Sequence, residues 1–193
     1  MSAGTPLSDS ERQAQNAEDI ALVEEAIQGS RRAQREIVKR YQGPIFAYIY
    51  RWMHNRADAE DLTQDVFIKM FNKLETYSRQ SSFRAWLYRI ARNRTIDHLR
   101  RKRLQTVDIE NVTIEDKQNP EEEYDKAEQK NLLEKAISSL PELYREVLLL
   151  RHRDELSYEE ITDATDLPLG TVKARLHRGR TLLRKKLLEV KLL

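Results

Sequence analysis

Basic residues concentrate in a short stretch that follows a Pro–Gly turn near the end of the chain. Lys173, Arg175, Arg178 and Arg180 occupy about two helical turns after the sequence "DLPLG", with His177 among them. Arginine and lysine donate hydrogen bonds to phosphates and to guanine edges, which is the chemistry of a nucleic-acid-binding helix. A solvated basic face on a helical bundle is the alternative, and the neighbouring elements decide between the two.

A helix through this stretch has two different faces. At 100° per residue, an apolar sector is predicted to pack against preceding helices. Its members are Val172, Leu176, Gly179 and Leu183. Gly179 lacks a side chain and therefore permits close approach there. The opposite side carries short side chains, hydrogen-bond donors and cations, so it suits contact with base edges.

The segment before this helix completes a recognisable supersecondary unit. "SYEE" is a capping box with Ser157 at the N-cap and Glu160 at N3, and it opens a short helix to about Thr165. A short helix, a tight turn and a long cationic helix form a helix-turn-helix, whose second helix enters the DNA major groove. No acidic residue occurs from Thr171 to Lys186. This absence favours DNA binding over a solvated face.

A second basic segment, "SFRAWLYRIARNRTIDHLRRKR", carries eight arginines and lysines against one acid, Asp97. Aromatic residues are interleaved: Tyr77, Phe83, Trp86 and Tyr88. Cations together with aromatic rings suit unpaired nucleic acid, because its bases can stack on the rings. The alternative places the apolar residues in the core and leaves the arginines to hold phosphates. That alternative is favoured for Trp86, Leu87 and Ile90.

Periodicity predicts helices throughout the N-terminal half, after a polar tail at residues 1–16 that we expect to be disordered. The first helix begins at Asp19 and ends at Gly29, and Ser30 caps the next. Gly43–Pro44 is expected to break or kink that second helix.

The following helix is expected to start with Asp58 as its N-cap, and Ser81 or Ser82 is expected to cap the basic helix. In the helix that starts near Asp58, one apolar stripe at spacings of four residues marks the side that faces the core. The stripe consists of Leu62, Val66, Met70 and Leu74.

An acidic segment separates the two halves. From Leu104 to Glu128 nine acids face two lysines, a net charge of minus seven. Apolar periodicity fails there and Asn119–Pro120 blocks a continuous helix. The sequence therefore predicts an all-α chain with an N-terminal domain at 17–103, a flexible linker at 104–127 and a helix-turn-helix domain at 128–193.

Composition excludes several function classes. Cysteine is absent, which excludes disulfides and thiol chemistry. No apolar run is long enough to span a membrane, and no signal peptide is recognised. The four histidines lack metal-ligand spacing, and no glycine-rich phosphate loop occurs. We therefore expect no cofactor, no metal and no catalysis, in a cytoplasmic protein.

Four segments in order carry a family resemblance: "DAEDLTQDVFIKMF", "FRAWLYRIARNRTIDHLRR", "LPELYREVLLLRHRDELSYEEI" and "LPLGTVKARLHRGRTLLRK". Together they resemble extracytoplasmic-function (ECF) sigma factors of bacterial RNA polymerase. The resemblance spans Asp19 to Lys186 apart from the acidic segment. It implies a transcription initiation factor, one copy per holoenzyme, that recognises the promoter −35 and −10 elements.

The resemblance also implies roles for individual residues. The first segment would dock on the clamp helices of the polymerase's largest subunit through Asp58, Glu60, Asp61, Gln64, Asp65 and Phe67. The melted −10 element, with a base flipped into the loop "TYSRQSS", would contact Lys69, Lys73, Tyr77, Ser81, Ser82, Arg92, Asn93, Asp97 and Arg100. The −35 element would contact Lys173, Ala174, Arg175, His177, Arg178, Arg180 and Arg184. A separate anti-sigma protein is an implied partner, and the acidic segment would thread the polymerase's RNA path.

Three alternatives remain from the residues themselves. The acids Asp58, Glu60, Asp61 and Asp65 could bind a cation in an enzyme, although at a helix N-terminus they more simply serve as caps and partner contacts. An autonomous dimeric repressor or activator would carry a ligand or receiver domain, and none is recognised. A membrane-surface helix in "TLLRKKLLEVKLL" is disfavoured, because its leucines continue the core stripe.

Overall fold

The structure is a computed structural model that describes residues 8–106, 133 and 135–191. These residues form α-helices joined by short turns, with no strand among them. The helices are α1 (Asp9–Ile27), α2 (Arg31–Met53), α3 (Arg56–Lys73), a 3₁₀ turn (Leu74–Thr76), α4 (Phe83–Thr106), α5 (Glu142–His152), α6 (Tyr158–Thr165) and α7 (Leu169–Lys191). The predicted all-α fold is confirmed.

The chain divides into two compact units. One comprises Met1–Thr113 with Asp163–Asp166, and the other comprises Ile114–Thr162 with Leu167–Leu193. The first contains α1 to α4, and the second is built on α5 and α7. The predicted domain boundaries stay a prediction. Helix α4 continues to Thr106, past the predicted start of the linker at residue 104, and most of the acidic segment lies outside the described residues.

In the first unit, α2 packs against α1, α3 and α4. The predicted apolar stripe of α3 is confirmed, since all four of its members are buried. Ile37, Ile45 and Ile49 of α2 are buried as well. Helix α2 is therefore the central element on which the other three helices are arranged.

Helix α1 begins ten residues earlier than the sequence analysis predicts, so the expected disorder of residues 9–16 is wrong. The backbone N–H of Glu11 donates to Ser8 Oγ at 3.3 Å, and the backbone N–H of Ser8 donates to a Glu11 carboxylate oxygen at 2.7 Å. This reciprocal capping box satisfies two N–H groups that the helix leaves free. Residues 1–7 lie outside the described residues.

Helix α2 does not break at Gly43–Pro44. It runs without interruption from Arg31 to Met53. A side chain before proline clashes with the proline ring in helical geometry, and Gly43 has no Cβ to clash. Both residues are exposed, so the proline ring displaces no core side chain. Buried Tyr41 and Ile45 on either side hold the helix to the core.

Most of the predicted caps are confirmed, with one correction. Ser30 and Ser82 each accept a backbone N–H at the start of α2 and α4, at 3.3 and 3.1 Å. Gly29 follows α1 with a φ of 89°, the left-handed conformation of a helix end. The cap of α3 is Asn55, whose side-chain oxygen accepts from the backbone N–H of Asp58 at 3.0 Å. The prediction of Asp58 as the cap is wrong because Asn55 offers the same acceptor three residues earlier.

In the second unit, α5 packs on α7. Val172 and Leu176 are buried, and a Cβ on Gly179 would lie 2.9 Å from Leu148 Cδ1 of α5. Three members of the predicted packing stripe and the close approach at Gly179 are confirmed, whereas Leu183 is only half-buried. The capping box before α6 is confirmed as well, with the Glu160 N–H donating to Ser157 Oγ at 3.0 Å and the Ser157 N–H donating back at 2.8 Å.

Candidate nucleic-acid interface

Helix α7 exposes the residues that the sequence analysis assigned to DNA. Lys173, Ala174, His177, Arg178, Arg180 and Arg184 are exposed, and Arg175 is half-buried. Within the part of the chain that the structure describes, none of these arginines and lysines pairs with an acid. Their cationic groups are therefore free to bind an anionic partner, as phosphate contacts require.

The end of α5 adds a histidine beside this helix. Burial lowers the pKa of His152, and the charges of Arg180 and Arg151 lower it further. The imidazole is therefore mostly neutral at neutral pH. The positive charge of this surface therefore comes from the arginines and lysines of α7 and not from His152.

Two ion pairs fix α4 against α3 in an antiparallel arrangement. Arg94 pairs with Asp65, and Lys102 Nζ lies 3.1 Å from Asp58 Oδ2, seven residues back along α3. At 100° per residue, one edge of α3 lies toward α4. On it Lys69 and Lys73 follow Asp65 at spacings of four.

Helical spacing spreads the predicted −10 residues around α4. At 100° per residue, Asp97 lies about 60° from Arg94, whereas Asn93 and Arg100 lie about 100° and 120° away. All three are exposed. Asp97 is therefore the one of the three nearest to the α3–α4 edge that carries Lys69 and Lys73. Arg92 is about 160° away from Arg94 around the helix, so the structure does not bring it to this edge.

The loop "TYSRQSS" is closed by its own tyrosine. The Tyr77 hydroxyl donates to the Ser81 carbonyl at 2.7 Å, and the ring lies 5.7 Å from Phe83 and 5.3 Å from Trp86, centroid to centroid. Burial, with the charge of Asp19, raises the pKa of Tyr77 to about 12.

Tyr77 is only 8 % exposed, so in this structure it shapes the loop rather than presenting a free ring to a base. Ser81, Ser82 and Trp86 are half-buried, and Leu87 and Ile90 are in the core as expected.

The outer face of α3 is acidic with one apolar residue in it. Glu60, Asp61, Gln64 and Asp65 are exposed, while Asp58 is half-buried against Lys102. Phe67, predicted to assist docking, is 7 % exposed and belongs to the core, whereas Ile68 is 60 % exposed.

Ile68 is a residue that the sequence analysis missed, although the apolar stripe could have identified it. Phe67 follows Val66 of the stripe by 100° and so lies beside the buried sector. Ile68 lies a further 100° away, on the face that also carries Gln64 and Asp65. An apolar side chain ringed by polar ones is a common centre of a protein interface.

Two features of the described residues bear on the enzyme and membrane alternatives. No helix there is long and apolar enough to cross a membrane. In the same residues, no group of three or more histidine, aspartate or glutamate side chains is arranged to hold a metal ion.

Comparison with known proteins identifies both units. The signature of Sigma-70 region 2 matches residues 37–105, and that of Sigma-70 region 4 matches residues 130–183. The ECF RNA polymerase sigma factor SigW of Bacillus subtilis is 35 % identical over 176 residues, covering 86 % of this chain and 94 % of that protein.

Two further relatives are also sigma factors matched over most of their length. The ECF RNA polymerase sigma-E factor of Escherichia coli is 34 % identical over 84 % of this chain and 90 % of that protein. The sigma factor RpoE of Bartonella quintana, solved with the anti-sigma factor NepR, superposes with a TM-score of 0.67 at 26 % identity, covering 81 % of this chain and 96 % of that one. Helical units with exposed basic faces, both family signatures and relatives matched over most of their length lead to one conclusion: this chain belongs to the ECF sigma factor family of bacterial RNA polymerase.

Proposed function

We propose that this chain binds core RNA polymerase and directs it to promoters through two separate DNA-binding surfaces. The observation that carries the proposal is a set of cations on α7 that have no acidic partner in the described residues: Lys173, Arg175, Arg178, Arg180 and Arg184. In the −35 major groove, Lys173, Ala174, His177 and Arg178 face the bases. Arg175, Arg180 and Arg184 bind phosphates.

The second surface is the loop 77–82 together with the α3–α4 edge. Lys69, Lys73 and Asp97 lie at that edge, and Asn93 and Arg100 extend the surface around the exposed side of α4 along the melted −10 strand. The loop holds one flipped base, for which unstacking costs a few kcal/mol that contacts in the pocket offset. Arg92 lies about 80° from Arg100 around α4 and binds phosphate.

The outer face of α3 contacts the polymerase. Ile68 forms an apolar centre, ringed by Asp61, Gln64 and Asp65, that fits the clamp helices of the largest subunit. The acidic rim would meet basic residues of the polymerase and favour rapid association. Asp58 supports this face through its pair with Lys102.

The chemistry of RNA synthesis belongs to the polymerase in this proposal. The chain acts in the cytoplasm and supplies no catalytic group, cofactor or metal. A regulator that covers one of its surfaces fits the same picture. Such a regulator is an anti-sigma protein like the one solved with the Bartonella relative.

Footprinting with core polymerase tests the proposal. The complete holoenzyme should protect the −35 element and render −10 thymines reactive to permanganate, which marks unpaired bases. Arg178→Ala should weaken the −35 footprint alone, and Lys69→Ala should weaken −10 melting alone. Equal loss of both signals in each variant would contradict the assignment of two separate surfaces.

A further inference from the structure

Helix α1 touches the loop 77–82 and the start of α4 directly. Asn16 Oδ1 accepts a hydrogen bond from the backbone N–H of Phe83 at 3.2 Å, so a residue 67 positions earlier helps to cap α4. Glu24, two turns further along α1, forms an ion pair with Arg79 in the loop. All of α1 precedes residues 37–105, the part that matches Sigma-70 region 2.

A buried carboxylate anchors α1 behind these contacts. Asp19 is 2 % exposed and accepts a hydrogen bond from Arg40 Nη1 at 2.7 Å and another from the Tyr41 hydroxyl. The Tyr41 ring meets Phe83 edge-on at 5.6 Å, and Phe83 meets Tyr77 at 5.7 Å. An unbroken set of contacts therefore runs from α1 through Tyr41 and Phe83 to the tyrosine that closes the loop.

Arg79 occupies an unusual backbone conformation at the tip of this loop. Its φ is 59°, in the left-handed region that side chains other than glycine, asparagine and aspartate seldom adopt. The ion pair with Glu24 favours this conformation because it holds the guanidinium against α1. The loop is thus fixed at its tip by Glu24, at its closure by Tyr77 and Ser81, and at its end by Asn16 and Ser82.

We infer that α1 is part of the −10 reading surface, with Glu24 and Asn16 as positioning residues that set the shape of the base-binding loop. The inference rests on the proposed function of that loop. Glu24 acts through Arg79, and Asn16 acts through the first turn of α4. Neither has to touch DNA. Since a preformed pocket loses less entropy when the flipped base enters, a loosened loop should discriminate less well at the position of that base.

The chain offers a closely matched control for Glu24. Glu25, its neighbour, forms an ion pair with Arg32 at 2.8 Å on the α1–α2 surface, and both carboxylates are 45 % exposed. Glu24→Gln and Glu25→Gln therefore each remove one half-exposed ion pair from α1. The two variants differ in whether the lost pair holds the loop.

The test measures binding of full-length holoenzyme to single-stranded −10 oligonucleotides in which each base is replaced in turn. Glu24→Gln should reduce discrimination at one position by about two- to five-fold, the range expected for a half-exposed ion pair. Arg79→Gln should do the same, and the double variant should add no further loss. Glu25→Gln should match the wild type at every position.

Asn16 gives a second, independent readout. Asn16→Asp keeps an acceptor for the Phe83 N–H and should retain discrimination, whereas Asn16→Leu should lose it. Wild-type discrimination in both Glu24→Gln and Asn16→Leu would overturn the inference. A uniform loss at all positions, or a loss of core affinity, would also overturn it by assigning α1 a general structural role. If the wild-type holoenzyme itself fails to discriminate, the proposed function of the loop falls, and the inference falls with it.

Discussion

Gly179 holds α7 close to α5, and replacing it tests the division of α7 into a packing face and a reading face. In Gly179→Ala the new methyl group would lie 2.9 Å from Leu148 Cδ1, 3.1 Å from Leu148 Cγ and 3.4 Å from Tyr144 Cβ. Leu148 is itself buried, so it moves only by displacing its neighbours. Overpacking of this kind costs about 1–3 kcal/mol.

Alanine also recovers helix propensity, worth about 1 kcal/mol relative to glycine. The net expectation for Gly179→Ala is a destabilisation of about 0–2 kcal/mol. Gly179→Val is the sharper perturbation, because it adds two more carbons and regains less propensity. We expect it to destabilise the second unit by about 3 kcal/mol.

Hydrogen exchange followed by mass spectrometry on the full chain is the assay, since it reports the stability of α5 and α7 peptide by peptide. Gly170→Ala is the control, because nothing lies within 4 Å of the Cβ it would add. The control should leave protection equal or higher. If Gly179→Val also raises the protection of α5 and α7, the close packing of the two helices is refuted.

Three further predictions address the DNA surface, the polymerase surface and the core. Arg178→Ala should cost about 1–3 kcal/mol of discrimination at one −35 base pair, measured by competition between promoter variants; equal weakening on every sequence would assign Arg178 to phosphate instead. Ile68→Ser should weaken core-polymerase binding about tenfold without lowering the melting temperature, and unchanged affinity would contradict the assignment of Ile68 to the interface. Burial and the charge of Asp19 raise the pKa of Tyr41, so the folded state keeps this proton at a pH where the unfolded chain has lost it. The free energy of unfolding should therefore fall by up to about 1.4 kcal/mol per pH unit above pH ~10. Urea titrations at several pH values should show a shallower fall in Tyr41→Phe, and an identical slope would contradict the buried environment of Tyr41.

Features that depend on residues close together in the sequence could be predicted well. The two faces of α7, the stripe of α3 and the caps at Ser30, Ser82 and Ser157 all depend on residues within one or two helical turns of each other. The same kind of signal was present at Ser8 and Glu11, a capping box that a polar, tail-like composition obscured. The wheel of α3 likewise held the information that separates buried Phe67 from exposed Ile68.

Tertiary effects account for what the sequence could not reveal. The bond from Phe83 to Asn16 joins residues 67 positions apart, and no periodicity marks it. The same holds for the pairing of Glu24 with Arg79 and for the burial of Asp19 against Arg40. At Pro44 the rule for helix breakage was right in general. The expected break does not occur because Gly43 removes the steric conflict with the proline ring.

Transcription from genomic fragments, using core polymerase with and without this protein, tests the central claim most directly. With the protein present, new transcripts should appear whose start sites share two sequence elements at a fixed spacing. Arg178→Ala should remove these transcripts while core binding persists. The same set of transcripts with and without the protein would contradict the claim.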